Sequence, residues 1–345
     1  MGMGCDVRQR CYTSVILLDS CSRLSLLPSG EQLRCALWDH PFRGRILGLL
    51  VVPALVLGLS ACGGNAGSSN STGSTAEHLY VTTATGQILQ FTLPLTSTST
   101  PSVTVPSTGG LSPFEVAVDS NGNLAVTDLL GNLAIYHPPL TSSSTPAAVF
   151  PNGAFISAGP IAFDSNGNLF AAGKNTGTGG GGLNIFAPPF SSASTPSQVL
   201  SVAFSGSVDS NGNLYSGFGG GVGPCGIAVL APPYTGAGSV FARQTCIDGG
   251  FGKTLVADNL LFATFTTSCS AVIEAFPLPG STATVGGVSG GCDFGTFTAD
   301  SNGNLYITSR TFNTISVFVP PFFSSSVPSM SLSNLFMING MAAGK

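Results

Sequence analysis

Four cysteines in the C-terminal half, Cys225, Cys246, Cys269 and Cys292, are spaced by 21, 23 and 23 residues. A four-thiolate zinc site normally begins with a Cys-x-x-Cys pair, and none exists here, so metal is not expected at these thiols. Disulfides are. Cys225 and Cys269 each precede one strand of a hairpin, and Cys246 and Cys292 each follow its partner strand. That placement favours Cys225–Cys246 and Cys269–Cys292, while four cysteines allow three pairings. An exported setting permits such bonds, each contributing about 2–4 kcal/mol.

The carboxylates and histidines offer less. Asp-Ser-Asn-Gly-Asn stretches look like a fragment of a calcium loop, but each has one carboxylate and no downstream Glu, so a turn is the expected role. Glu115 lies on a strand expected to line a central channel, where the matching positions read Ile161, Val208, Leu255 and Phe297. One carboxylate makes neither a metal site nor an acid/base pair. His78 opens a strand and His137 precedes Pro138 at the end of another, and neither belongs to a catalytic constellation. Thr176–Gly182 is glycine-rich without a following helix or Lys-Ser/Thr, so it reads as a loop and not a phosphate cradle. No catalytic residue, cofactor or metal is expected.

The elements that must position these residues come from one hexapeptide, Asp-Ser-Asn-Gly-Asn-Leu. It stands at Asp119–Leu124, Asp164–Leu169, Asp209–Leu214 and Asp300–Leu305, with a worn copy at Asp258-Asn259-Leu260. The leading aspartates are 45, 45, 49 and 42 residues apart. Asn-Gly marks a hairpin turn: Asn121-Gly122, Asn166-Gly167, Asn211-Gly212 and Asn302-Gly303 are expected to form type I′ turns, with Asp119, Asp164, Asp209 and Asp300 bonding local backbone. Apolar runs on both sides make strands A and B. A strand C ending in proline follows, as in Leu133–Pro139 and Val317–Pro321. After a Ser/Thr-rich turn comes a short strand D, such as Ala147–Phe150.

Four antiparallel strands every 40–50 residues predict propeller blades. Residues 77–345 hold six such units of about 45. The series begins at a strand B, His78–Val81, and stops at a strand A, Gly340–Ala343. The expected fold is therefore all-β: a six-bladed β-propeller of four-stranded antiparallel blades, its ring closed by pairing of the N- and C-terminal strands. Strands apolar on both faces fit blades packed face to face.

A strand-A run, then Asp-x-x-Gly-x-Leu-Tyr-Val, then a strand ending in Val-Phe resembles the NHL-type β-propeller repeat, most closely at Phe114–Thr127 and Phe297–Thr308. The resemblance covers most of residues 77–345 and implies a propeller, not an activity. Enzymes of six-bladed architecture place carboxylates or histidines at the channel, so a lyase or lactonase is the alternative to a binding module.

Upstream, residues 1–42 show no repeat and carry Cys5, Cys11, Cys21 and Cys35; they read as a non-native or disordered extension. No methionine lies between Met3 and Met330, and translation is expected to start at a non-Met codon nearer Arg43. Residues 43–61 read as a signal peptide, with Arg43 and Arg45 before the apolar run Ile46–Leu59. Leu59-Ser60-Ala61-Cys62 resembles a bacterial lipoprotein signal, which makes Cys62 the expected lipidation site. Residues 62–76 read as a flexible Gly/Ser/Thr tether.

Charged residues make up 8% of the chain, where about 25% is ordinary. From Cys62 onward only Lys174, Arg243, Lys253, Arg310 and Lys345 are basic. They are scattered, which argues against nucleic-acid binding. The expectation is an exported monomer of the cell envelope, held to a membrane by lipid, that binds a protein or glycan on a propeller face. A structural surface protein without specific ligand is a further alternative.

Overall fold

The computed structural model describes residues 76–345, apart from 107–111, 151–158, 175–180, 219–222, 236–237, 247–248, 268–269, 279–285, 292–293 and the single positions 203, 258, 310, 324 and 336. They belong to one compact unit, Ser69–Lys345. The extension, signal segment and Cys62 lie outside the described residues.

Six four-stranded antiparallel sheets form the six blades of a β-propeller. Strands A to D run outward from the axis in each. The inner strands of blades 2 to 6 are Pro113–Val118, Ile161–Phe163, Ser207–Val208, Gly249–Ala257 and Phe294–Ala299. Blade 1 takes its inner strand from the far end of the chain: Ile338–Gly344 pairs with His78–Thr83, from His78 opposite Gly344 to Thr83 opposite Ile338. The ring closes as its strand count predicts.

Both faces of the strands are apolar because every blade has two neighbours. Along the second strand of blade 1, Tyr80 packs toward blade 2 with Val116, Leu124 and Tyr136. Leu79 and Val81, on the opposite face of the same strand, pack toward blade 6 with Tyr306, Ile315 and Val317. Each of the six seams holds one such cluster. Hydroxyls stitch the inner seams as well. Thr82 Oγ1 donates to the Phe114 carbonyl, Thr127 Oγ1 to the Gly159 carbonyl at 3.2 Å, and Thr254 Oγ1 to the Tyr215 carbonyl at 3.0 Å.

The hexapeptide turns differ from the type I′ expectation. Gly122 has φ of +81°, but Asn121 does not share the left-handed conformation. The Gly122 N–H reaches the Asp119 carbonyl at 3.1 Å, and the Asp119 N–H reaches the Asn123 carbonyl at 3.0 Å. This is a three-residue hairpin, a type I turn closed by a left-handed glycine in a bulge. The extra residue is stabilised by Asp119, whose carboxylate sits inside the loop. The worn copy is tighter: Ala257 pairs with Leu260 across two residues, and Asn259 has φ of +58°.

The Ser/Thr-rich turns also have a definite logic. The Thr96 N–H donates to Ser99 Oγ at 2.8 Å, while the Ser99 N–H donates to the Thr96 carbonyl at 3.0 Å. The same reciprocal pair recurs at Thr141/Ser144, Ser191/Ser194 and Phe323/Ser326.

Candidate binding site in the central channel and its mouth

Four inner strands carry a bulge at one level of the channel; in blade 1 Thr82 pairs with Gly340 and Thr83 with Ile338, which leaves Asn339 as the extra residue. In blade 2, Pro113 pairs with Asp128 and Val116 with Val126, so Phe114 and Glu115 together oppose Thr127. In blade 5, Gly252 and Lys253 together oppose Thr264. In blade 6, Gly295 and Thr296 together oppose Thr308. The opposing residue is a threonine each time, and it bonds the bulge backbone. The Glu115 N–H donates to Thr127 Oγ1 at 3.3 Å, Thr264 Oγ1 donates to the Lys253 carbonyl at 3.3 Å, and the Thr296 N–H donates to Thr308 Oγ1 at 2.7 Å. Bulges re-aim side chains, and here the re-aimed ones meet. Lys253 Nζ lies 3.1 Å from Glu115 Oε2 and 2.8 Å from Thr296 Oγ1.

This corrects the expectation for Glu115, which was matched to Ile161, Val208, Leu255 and Phe297. The bulge displaces the register, so its structural counterparts are Lys253 and Thr296, while Phe297 is fully buried in the seam between blades 5 and 6. Lys253, read as one of five scattered cations, is the partner of Glu115. The cue in the sequence was Thr127, Thr264 and Thr308, three or four residues after a strand-opening leucine.

The A–B turns surround the mouth of the channel. Asp119 Oδ1 accepts the N–H groups of Asn121 and Asn123, both at 2.8 Å, and Oδ2 accepts the Asn123 side-chain amide at 2.7 Å. Asp164, Asp209 and Asp300 repeat this pattern with Asn166 and Asn168, Asn211 and Asn213, and Asn302 and Asn304. In blades 4 and 6 a tyrosine adds a donor: Tyr215 Oη lies 3.0 Å from Asp209 Oδ2, and Tyr306 Oη lies 2.9 Å from Asp300 Oδ2. Burial, then the charge of Asp209, pushes the Tyr215 hydroxyl far above the usual tyrosine range. Burial, then the bond to Asp300, does the same at Tyr306. Each carboxylate is thus engaged by its own loop, as the turn reading requires. Among the described residues no three His, Cys, Asp or Glu side chains cluster as metal ligands.

The hexapeptide search missed a copy of this device. Asp128 Oδ1 accepts the N–H groups of Leu130 and Asn132, at 2.9 and 2.7 Å, and Oδ2 accepts the Asn132 amide at 2.6 Å. The loop Asp128-Leu129-Leu130-Gly131-Asn132 keeps the Asp, Gly and second Asn of the motif and changes only its middle. The essential pattern is therefore Asp-x-x-Gly-Asn. It appears here between strands B and C, on the opposite face.

Two adjoining cavities lie along the inner strands. The mouth, of about 550 Å³, is lined by Ser120, Ser165, Ser210, Asn211, Asp119, Asp164 and Asp209. An inner chamber of about 200 Å³ receives residues from all six inner strands, Lys253 and Ser207 among them. Val118, Phe163, Val208 and Val256 line both and form an apolar throat between them.

The other sequence candidates lie elsewhere. His137 is on an outer turn, its Nδ1 2.7 Å from Asn123 Oδ1. His78 packs near Tyr80, with ring centroids 6.0 Å apart. Cys225 is fully buried within the third strand of blade 4, Gly223–Leu230, rather than before it, and its sulfur is disulfide-bonded. The strand register sets Cys225 opposite Gln244, two residues from Cys246, which is the diagonal position on the same face. The Cys246 side chain and both Cys269 and Cys292 lie outside the described residues. Gly181 and Gly182, at the end of the glycine-rich stretch, open the third strand of blade 3.

No protein-family model and no curated protein matches this chain. Solved structures do resemble it. A functionally unknown protein from Desulfotomaculum acetoxidans superposes with a TM-score of 0.53 at 11% identity, covering 78% of this chain and 99% of its own. A protein of unknown function from Bacteroides caccae gives 0.52 at 13% identity, with 79% and 100% covered. At such identities the likeness is one of fold.

Proposed function

We propose that this protein is a binding or scaffolding propeller whose ligand meets the face bearing the A–B turns. The observation that carries this reading is the state of the mouth carboxylates. Asp119 and Asp209 are buried and, like Asp164, hydrogen-bonded to their own loops, so the mouth is rigid and its acids serve the loops. Such a surface recognises shape and hydrogen-bonding pattern. In the channel, Glu115 stands against Lys253 and Thr296, an arrangement that holds the ring rather than one that abstracts a proton.

The propeller fits an NHL-like repeat by its Asp-x-x-Gly-x-Leu turns. The reading places it in the cell envelope, exported by residues 43–61 and lipidated at Cys62, on the strength of the Leu-Ser-Ala-Cys sequence after an apolar run. Cross-linking in living cells, followed by pull-down on this chain, tests the binding role. A partner captured reproducibly, and lost when Ser165 and Asn211 are both changed to Trp to fill the mouth, is the expected result. Capture unaffected by the filled mouth overturns the assigned face. Intact-mass analysis of the cellular protein tests the address: an acylated N-terminal Cys62 is expected, and a chain retaining residues 1–42 would overturn it.

A further inference from the structure

The Ser/Thr-rich turns after strand C follow one pattern, and blade 6 breaks it. Their reciprocal hydrogen bonds align Phe323 with Thr96, Thr141 and Ser191. In the same register Val327 stands where the other blades have Thr100, Thr145 and Thr195, and Val319 where they have Thr92, His137 and Ala187. Val319, Phe323 and Val327 are each more than half exposed, and no residue from Val319 to Pro328 carries a charge. Beneath them Phe322 is buried and meets Phe262 of blade 5 edge-on, with ring centroids 5.7 Å apart. The turn is rooted in a seam while its apolar side chains stand in water. Such a set, where three other blades show hydroxyls, marks contact with something apolar.

The course of the chain says what that is. Glu77, where the propeller begins, reaches the Asp300 turn of blade 6: Ser301 donates its N–H to Oε1 at 2.8 Å and its hydroxyl to Oε2 at 2.7 Å. Phe318 lies opposite Leu305, so Val319 follows at the end of blade 6 that carries the Asp300 turn. The chain from Cys62 thus joins the propeller at the same end of blade 6 as the apolar turn. The segment 62–76 reaches at most about 50 Å when fully extended.

We propose that the turn Val319–Pro328 docks on the surface of the lipid bilayer that holds the Cys62 anchor, and so sets which edge of the propeller leans on the membrane. This rests on the reading of Cys62 as the lipidation site. An anchor alone tethers without orienting. Val319, Phe323 and Val327 set at the level of the lipid headgroups leave water with no charge to desolvate. Contact at blade 6 also leaves the mouth open, because its lining comes from blades 2 to 5. The opposite face exposes Leu129, Leu130, Phe312 and Met337, but on three separate connections and away from Glu77.

The test uses the protein purified from its own cells with its anchor and placed in phosphatidylcholine vesicles with and without brominated acyl chains. Phe323→Trp is the probe, and Phe312→Trp, at the opposite end of blade 6, is the comparison; the wild-type signal is subtracted to account for Trp38. Brominated chains are expected to quench the Phe323→Trp emission, which should also shift to the blue, and to leave Phe312→Trp unchanged. Adding Val319→Thr and Val327→Thr to the Phe323→Trp chain should shift the balance about tenfold toward undocked molecules. If Phe323→Trp does not fold, Val327→Trp reports on the same turn. Quenching at both ends alike, at neither, or at Phe312→Trp alone overturns bilayer docking by this turn. A wild-type dimer in sedimentation that V319T/F323T/V327T abolishes would give the patch to a second copy and overturns it too. An acylated Cys62 without quenching overturns this inference alone, whereas an unacylated Cys62 overturns the address and the docking together.

Discussion

Lys253 and Glu115 face each other across the ring, 3.1 Å apart, from blades 5 and 2 of six. Two blades separate them on either side, so the contact spans the channel instead of joining neighbours. Their side chains are 22% and 15% exposed, which places the pair between a solvated surface contact and a dry buried one. Glu115→Gln and Lys253→Met should each lower stability by about 1–2 kcal/mol, and a double-mutant cycle in urea should give a coupling of about 1 kcal/mol. Simple additivity would mean the two charges contribute independently.

The loop aspartates should be unusually sensitive to loss of charge. Asp300 accepts two backbone N–H groups, the Asn304 amide and the Tyr306 hydroxyl. Asp300→Asn replaces an acceptor by a donor at one oxygen and should cost about 2–3 kcal/mol, whereas Tyr306→Phe should cost about 1 kcal/mol. Denaturant midpoints measure both. Equal costs would show that the hydroxyl, and not the carboxylate, organises the turn.

Two glycines with the same backbone separate strain from collision. Gly122 and Gly167 have φ of +81° and +78°. A Cβ on Gly167 would find only Pro188 Cγ, at 3.8 Å, while one on Gly122 would come within 2.7 Å of the Lys345 carbonyl oxygen. Gly167→Ala should therefore cost about 1 kcal/mol for the left-handed conformation alone. Gly122→Ala should cost more and loosen the C-terminal strand, seen as faster amide exchange at Ala342 and Ala343.

Glu274 should make the protein less stable as pH rises. It is partly buried on the third strand of blade 5, and burial pushes its carboxyl above the usual 4.5. The folded state thus holds the proton more tightly than the unfolded chain. Its contribution is favourable below about 4.5 and is lost as pH climbs through the raised value. Glu274→Gln should raise Tm at pH 7 and leave it unchanged at pH 4; a gain at both would point to packing instead of charge.

The hydroxyls of Tyr80, Tyr215, Tyr234 and Tyr306 are all pushed up, with burial the largest cause at each. Their stabilisation is complete below the unfolded value of 10 and declines as pH rises above it. In an absorbance titration these four should ionise only as the fold opens, so the late part of the tyrosine signal should coincide with loss of β-sheet circular dichroism. Ionisation well before unfolding would show that water reaches them.

The fold was legible because its signal was periodic. Recurring turns, a proline after strand C and a chain beginning on strand B give the blade count and the closure without any side-chain geometry. The channel was not legible for the same reason. A bulge inserts a residue that shifts every position before it, so Glu115, Lys253 and Thr296 fall out of alignment when the strands are matched by their apolar residues. The Asp128 loop was hidden because Leu129 and Leu130 replace polar turn residues, while the atoms that make the loop belong to Asp128 and Asn132.

The closing pair in blade 1 also sets how the molecule bears load. His78 lies opposite Gly344 at one end of the shared ladder, and Thr83 lies opposite Ile338 at the other. Tension applied between His78 and Gly344 acts across the strands and opens the rungs one after another from that end, the geometry of a zipper. A pull between Thr83 and Gly344 runs along the strands and loads all the rungs at once. The same seam should therefore yield at low force in the first direction and resist in the second.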